Sequence, residues 1–217
     1  MERTQAVKKI GIGYEDYREF INDNMYYIDK TLLIRDVVEQ GGKVTLFTRP
    51  RRFGKTLALS MLRTFFEREY DSGGKIVDKH RYFEGKKIMD APKEILSMMG
   101  RYPLIKLSLK SAKQPDYREA ALQLRDEIVS EFSRHIYLRD SERLTEEERQ
   151  SFGELSLTKK RKEIVDEDDF RKEVGRYATA LKTLSVCLKK HHGENVIVLI
   201  DEYDVPLENA YYEGFYK

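Results

Sequence analysis

The sequence predicts an α/β fold, a parallel sheet with flanking helices, on three observations. Strand-like apolar runs occur at Lys43-Val44-Thr45-Leu46-Phe47-Thr48, at Pro103-Leu104-Ile105-Lys106-Leu107-Ser108-Leu109 and at Val196-Ile197-Val198-Leu199-Ile200. Segments with helical spacing of apolar residues separate each run from the next, an order that joins parallel strands through right-handed crossovers. The last run is apolar at every position, as in a central strand covered on both faces, whereas the second alternates Ile105, Leu107 and Leu109 with Lys106 and Ser108. With 217 residues and 25.7 kDa, and neither a repeat nor a linker in view, residues 1–217 are expected to form a single domain.

Residues from Tyr14 to Tyr27 read as a short helix and a turn. Asp29 or Thr31 then caps a helix running to about Glu39, whose apolar face is Leu32, Leu33, Val37 and Val38, and Gly41-Gly42 ends it. From Lys55 to Tyr70 the spacing of Leu59, Leu62, Phe65 and Phe66 predicts a helix facing a core. Gly73-Gly74, Gly85 and Pro92 break residues 71–99 into short pieces. A long helix is expected from about Asp116 to Leu138, with Ala121, Leu124, Ile128 and Phe132 recurring roughly every turn. A charged stretch from Arg139 to Asp169 follows; within it Arg139 to Arg149 reads as a solvated helix face or mobile excursion, and its acidic end, Asp166 to Asp169, caps a helix over Phe170 to Lys190.

Composition excludes several classes. The chain is 40% hydrophobic and 36% charged, enough to build a core beneath a charged surface. No apolar run approaches the roughly 20 residues of a membrane-spanning helix, and the N-terminus lacks the apolar region of a signal peptide, so a cytoplasmic location is expected. A single cysteine, Cys187, excludes an intramolecular disulfide framework and a cysteine-based zinc site; it reads as a small buried hydrophobe. His191-His192 suits a helix C-terminus better than a metal site. With 40 basic against 38 acidic residues, a net charge of +2, the chain is not a general polyanion binder.

Chemistry concentrates at two places. The run Arg49-Pro50-Arg51-Arg52-Phe53-Gly54-Lys55-Thr56-Leu57 lies between a predicted strand and a predicted helix. Phosphate loops need inward backbone amides, a helix N-terminus, a lysine, and a hydroxyl for Mg²⁺. Gly54 supplies the turn, Lys55 would reach the β- and γ-phosphates, and Thr56 would ligate Mg²⁺. The usual pattern carries a first glycine where this sequence has Arg49. By itself Gly-Lys-Thr merely opens a helix; its position after a strand, with Pro50 stiffening the loop, favours nucleotide. Arg51 and Arg52 suit phosphate or a bracing ion pair better than nucleic acid, because the surrounding charge is balanced. The second place is Asp201-Glu202, at the end of the third apolar run. There Asp201 would hold Mg²⁺ through its water shell and Glu202 would act as general base on an attacking water. An acidic turn after a strand is the plainer alternative.

With Tyr27-Ile28-Asp29-Lys30-Thr31 placed before these motifs, and Leu199-Ile200-Asp201-Glu202-Tyr203-Asp204 completing them, the chain resembles the AAA-ATPase-like family of prokaryotic proteins. The resemblance covers almost the whole chain, and the Arg-Pro-Arg-Arg-Phe-Gly-Lys-Thr loop is specific to it. It implies a P-loop NTPase fold of the additional-strand class, ATP with Mg²⁺, and often a fused nuclease-like domain of the PD-(D/E)XK class. The expected function is Mg²⁺-dependent ATP binding, with hydrolysis in the complete form, coupled to a partner or to that second domain. Nucleic acid through such a domain and a homo-oligomer are further expected partners; a membrane is not. A nucleotide-gated binding protein with little hydrolysis, or a nucleic-acid-binding domain using Arg49 to Arg52, are the alternatives. Tyr27 to Thr31 is expected either to pack by the loop and frame the nucleotide or to serve only as a helix cap. The family's next strand, with its sensor residue, has no counterpart, so the fold is expected to be truncated after the acidic strand. Strands 44–48 and 196–200 would then lie about 10 Å apart, with 104–109 paired to 196–200. Tyr211, Tyr212, Phe215 and Tyr216 are expected to pack against chain not present here.

Overall fold

Aromatic packing organises the N-terminal part of the computed structural model, which describes residues 8–48, 53–157 and 163–216 and divides into two units, Met1–Tyr102 and Pro103–Lys217. In the first unit, the Asp16 carboxylate accepts from the amides of Arg18 and Glu19 and so starts α1 (Tyr17–Asn22). Helix α2 (Leu32–Gln40) ends at Gly41, whose φ of 60° is a left-handed conformation that suits glycine. Helix α3 (Lys55–Phe66) buries Met61, Leu62, Phe65 and Phe66. Its Ser60 hydroxyl accepts from the Tyr17 amide at 2.9 Å and donates to Asp16 at 3.2 Å, so one side chain ties α3 to the start of α1. The glycine- and proline-broken stretch forms short pieces, α4 (His80–Phe83), a 3₁₀ turn at Lys87–Asp90 and α5 (Lys93–Leu96). Phe83 stacks on Tyr17 with ring centres 5.4 Å apart and meets Phe65 edge-on at the same separation.

An ionic cluster borders this core. Arg18 makes a two-pronged contact with Glu69 at 2.6 and 2.8 Å, Lys79 also pairs with Glu69, and Arg63 pairs with Glu67 at 2.7 Å. Lys79 and Glu67 are buried. Burial alone would raise the Glu69 carboxyl; hydrogen bonds from Arg18 and Lys79 outweigh it and hold it far below the usual range.

Residues 43–48 differ from the strand expected there. They carry no regular structure, and Val44 and Leu46 are exposed. A β-branched, apolar run favours extended backbone, but it becomes a strand only when a ladder satisfies its amides and carbonyls. Without a strand at 44–48, the expected spacing to 196–200 has nothing to be measured from.

The second unit contains β1 (Leu104–Ser108) and β2 (Ile197–Asp201), paired in parallel with Leu104 opposite Ile197 and Ser108 opposite Asp201. This is the pairing the sequence suggested, and the described residues contribute no third strand to the sheet. Asp116 caps α6 (Tyr117–Arg134) by accepting from the Glu119 amide. Thr145 and Glu148 form a reciprocal capping box on α7 (Glu146–Leu155). Asp166 caps α8 (Glu167–Arg176), and Gly193 at φ 72° ends α9 (Ala180–His192). Pro206 lies in the first turn of α10 (Val205–Tyr212). Ile105 and Leu107 of β1 pack with Phe132, Phe152, Leu184 and Leu188 in the main core.

Three local expectations change. Residues 139–149 are not simply a solvated helix face or excursion, because Leu144 enters the core there, joined by Phe152 and Leu155 of α7. The helix expected over 170–190 is two helices, separated between Arg176 and Ala180. Strand β2 is not covered on both faces: Val198 is 43% and Ile200 39% exposed. On α6, Phe132 is buried, but Ala121, Leu124 and Ile128 line an apolar groove of about 560 Å³ together with Val174, Leu207 and Phe215.

The outer edge of β1 is closed by side chains of α6. Because Ile197 donates to the Pro103 carbonyl, the amides of Lys106 and Ser108 point away from β2. Glu131 accepts from Lys106 at 2.9 Å and Glu127 from Ser108 at 3.2 Å, while Arg134 and the Nε2–H of His135 donate to the Leu104 carbonyl. Burial would raise the Glu131 carboxyl, but His135, Arg134 and the Lys106 amide hold it down at about 2. Its stabilising contribution is therefore complete above the unfolded value of 4.5 and is lost as pH falls towards 2, a difference of roughly 3 kcal/mol. Urea unfolding of the chain at pH 5 and at pH 2.5 should show this loss, and Glu131→Gln should be less stable at pH 5 with a flatter acid limb.

Candidate functional site

The first helical bond of α3 runs from the Ala58 amide to the Gly54 carbonyl at 2.9 Å. Gly54 is the N-cap, at φ 75° and ψ 29°, and no side chain caps the helix. A β-carbon is disfavoured in this left-handed conformation, so glycine is the residue that lets the chain turn into α3 here. Helix N-termini present backbone amides that have no partner within the helix, together with the positive end of the helix dipole. At α3 these groups belong to Lys55, Thr56 and Leu57, all half-buried, and Phe53 beside them is exposed. The other loop residues singled out in the sequence, Arg49, Pro50, Arg51 and Arg52, lie outside the described residues.

The segment from Tyr27 to Thr31 is anchored on two sides. The Tyr27 hydroxyl donates to the Met61 sulfur of α3 at 3.2 Å. One Asp29 oxygen accepts from the Thr31 amide at 2.9 Å and its hydroxyl at 2.7 Å, and the other accepts from the Lys87 amide at 2.8 Å. The Thr31 hydroxyl in turn accepts from the Ile88 amide at 3.1 Å. Burial would raise the Asp29 carboxyl, and the bonds from Lys87 and Thr31 outweigh it and lower it. Asp29 is thus a backbone organiser, joining the start of α2 to the 3₁₀ turn. Lys30, between these two anchored residues, places its Nζ 4.0 Å from where a β-carbon on Gly54 would stand. Neither spacing nor periodicity marks Lys30 as a loop neighbour; only its place in the Tyr-Ile-Asp-Lys-Thr run hints at it.

Asp201 and Glu202 belong to the second unit. Asp201 ends β2 opposite Ser108, so it stands at the C-terminal edge of a parallel pair, where α/β folds place ligands. It is largely buried, and its Oδ1 accepts from the Glu202 amide at 3.0 Å. Glu202 sits at φ 52°, an uncommon left-handed conformation for a residue with a β-carbon, and its carbonyl accepts from the Val205 amide as the chain turns into α10. No cluster of three or more His, Cys, Asp or Glu side chains among the described residues is arranged to hold a metal ion. Likewise, no described helix is long and apolar enough to cross a membrane.

The first unit thus has a glycine-started helix that opens with Lys55-Thr56 and has no side-chain cap, and the second unit has an acidic pair at the end of a parallel strand. A family model described as "Predicted AAA-ATPase" matches residues 11–216. The chain belongs to that family. Membership of this predicted AAA-ATPase family supports nucleotide binding. A relative named "Uncharacterized protein in vnfD 5′ region", from Azotobacter chroococcum mcd 1, is 26% identical over 201 residues, covering 92% of this chain. The chain spans about 30% of that relative's length. No solved structure matches the chain significantly.

Replacing Asp29 by Ala removes the acceptor for two backbone amides, at Thr31 and Lys87. The variant should lose about 1–3 kcal/mol of stability in urea unfolding.

Proposed function

We propose that the chain is a Mg²⁺-dependent ATP-binding module of the P-loop, additional-strand class that hydrolyses ATP in its complete form. The observation that carries this reading is Gly54, in a left-handed turn at the uncapped start of α3 and directly before Lys55-Thr56, in a chain of the predicted AAA-ATPase family. The family match spans residues of both units, which supports reading residues 1–217 as one ATPase-like domain.

Each residue has a role that follows from its chemistry. The amides of Gly54, Lys55 and Thr56 hold phosphate oxygens, and the Lys55 ammonium adds a charge-assisted bond to the β- and γ-phosphates. Phe53 and Leu57 flank this cradle, and Arg49, Pro50, Arg51 and Arg52 complete the nucleotide-binding loop. Thr56 and Asp201 serve Mg²⁺, which neutralises charge on the nucleotide phosphates when bound. Mg²⁺ keeps several waters and takes few protein ligands, so a hydroxyl and a carboxylate suit it without a cage of acids. Glu202 accepts a proton from the attacking water. In longer relatives the nucleotide state would be passed to a partner or to a nuclease-like domain. The near-neutral net charge of +2 favours this reading over general nucleic-acid binding.

Titration of the purified chain with fluorescent ATP, with and without Mg²⁺, tests the proposal. Lys55→Ala should weaken ATP by roughly ten- to a hundredfold, equivalent to about 1.5–3 kcal/mol; unchanged affinity would dismiss the loop. Glu202→Gln should keep binding and slow turnover by about a hundredfold or more. Equal turnover in the two proteins would instead favour a nucleotide-gated binding protein.

A further inference from the structure

The C-terminal ends of α6 and α9 meet at a chain of side chains that the ATPase reading does not use. His135 follows α6 as its C-cap, Tyr137 lies in the 3₁₀ turn Ile136–Asp140, and His191 and His192 close α9. The Tyr137 hydroxyl sits between two imidazoles, 3.1 Å from His135 Nδ1 and 2.9 Å from His192 Nε2. On its far side, His135 Nε2 lies 3.1 Å from the Leu104 carbonyl and 3.4 Å from a Glu131 oxygen. His135 and His192 are both buried. His191 turns elsewhere, with its Nδ1 2.7 Å from the Ser141 hydroxyl.

Hydrogen positions follow from the partners. Both neighbours of His135 Nε2 are acceptors, so that nitrogen carries a hydrogen; in the neutral ring Nδ1 has none and accepts from the Tyr137 hydroxyl. The hydroxyl oxygen accepts in turn from His192 Nε2–H. One added proton fits at either ring. On His192 it goes to Nδ1 and leaves the chain as it is. It passes to His135 when the His192 Nε2 hydrogen moves to the Tyr137 oxygen as the tyrosine hydrogen moves to His135 Nδ1, which leaves His192 neutral with its hydrogen on Nδ1. A second proton does not fit, because each ring then presents an N–H to the hydroxyl and neither can accept its hydrogen. Charges on the packed elements support one cation and oppose two. Glu131 favours a cation on His135, and the C-terminus of α9 favours one on His192. The opposing cations are Arg134 of α6, Arg139 of the turn, Arg143 after it, Arg149 of α7, and Lys189 and Lys190 of α9. Of the acids, Glu148 pairs with Lys190 and Glu146 with Arg149, while Asp140, Glu142 and Glu194 lie in or beside the connecting turns. Burial and Arg143 hold His191 below the usual histidine range, so it stays out of the exchange. We infer that His135, Tyr137 and His192 form a relay that shares one proton between the two rings, and an acid-sensitive clasp between α6 and α9 that opens when a second proton enters.

Imidazole nitrogen NMR of the isotope-labelled full chain, from about pH 8 down to about pH 4.5, tests the relay, with melting temperatures measured alongside. This window brackets the ordinary histidine value of about 6.5 and lies above the range in which Glu131 gains its proton. In the wild type the His135 and His192 signals should move together through a first step, each by part of its full protonation shift. The second step should follow at least about one pH unit lower. In Tyr137→Phe each ring should complete its shift in one step of its own. Should Tyr137→Phe fold poorly, His192→Gln serves instead: its amide can donate or accept at the hydroxyl but takes no proton, so His135 should titrate in a single full step. The melting temperature of the wild type should fall with the second proton, because a group harder to protonate in the folded chain withdraws stability as pH drops below its unfolded value of about 6.5. His192→Gln should lose less over the same range. Separate single steps for the two rings in the wild type would overturn the relay, as would wild-type curves in Tyr137→Phe or for His135 in His192→Gln. Equal losses of melting temperature in the wild type and His192→Gln would overturn the clasp.

Discussion

Main-chain amides and carbonyls taken out of water must find partners, and that requirement shapes both units. A parallel pair of strands has two free edges, and on β1 the outward groups are met by side chains of the helix that follows it. Glu127, Glu131, Arg134 and His135 all come from the last two turns of α6 or its cap. Closing an edge in this way suppresses pairing with other chains. It also places the β1 backbone and the buried face of α6 in one frame, so the core of Ile105, Leu107 and Phe132 and the hydrogen bonds at the edge support each other.

The same requirement is met in different ways at the helix starts. Helices α1, α6, α7 and α8 begin with Asp16, Asp116, Thr145 and Asp166, each of which accepts from amides of the first turn. Helix α3 begins with Gly54, which has no side chain to offer. Under the proposed nucleotide reading, a capping side chain there would compete for the donors that a phosphate group requires. Asp29 and Thr31, at the start of α2, accept through their side chains from the Lys87 and Ile88 amides and so join two segments of the first unit.

Much of the helical structure was legible because its signals are local. The Asp116 and Asp166 caps, the Gly41 and Gly193 stops, and the apolar stripe of Leu62, Phe65 and Phe66 act within a few residues of chain. Helix α7 was legible only in part, its first turn as a charged helix face, because Phe152 and Leu155 are the only large apolar residues in Glu146–Leu155. The loop and the acidic strand end were legible as motifs because residue type and order carry their chemistry. The nearness of Lys30 to Gly54 was not, since it depends on contacts of Tyr27 with Met61 and of Asp29 with Lys87.

By itself the sequence determined the helix boundaries set by caps and glycines, the parallel β1–β2 pair, and the family to which the Gly54-Lys55-Thr56 and Asp201-Glu202 motifs belong. Only the tertiary structure decided which apolar residues became core. Val44 and Leu46 are exposed despite a strand-like composition, and Val198 and Ile200 are partly open despite lying in an apolar run, whereas Leu144 and Phe152 are buried within a charged stretch. The reason is that caps and turns are satisfied by residues close in sequence, while strand pairing and burial require partners from distant parts of the chain. A residue's own hydrophobicity says that it would gain from such a partner, and not whether the fold supplies one.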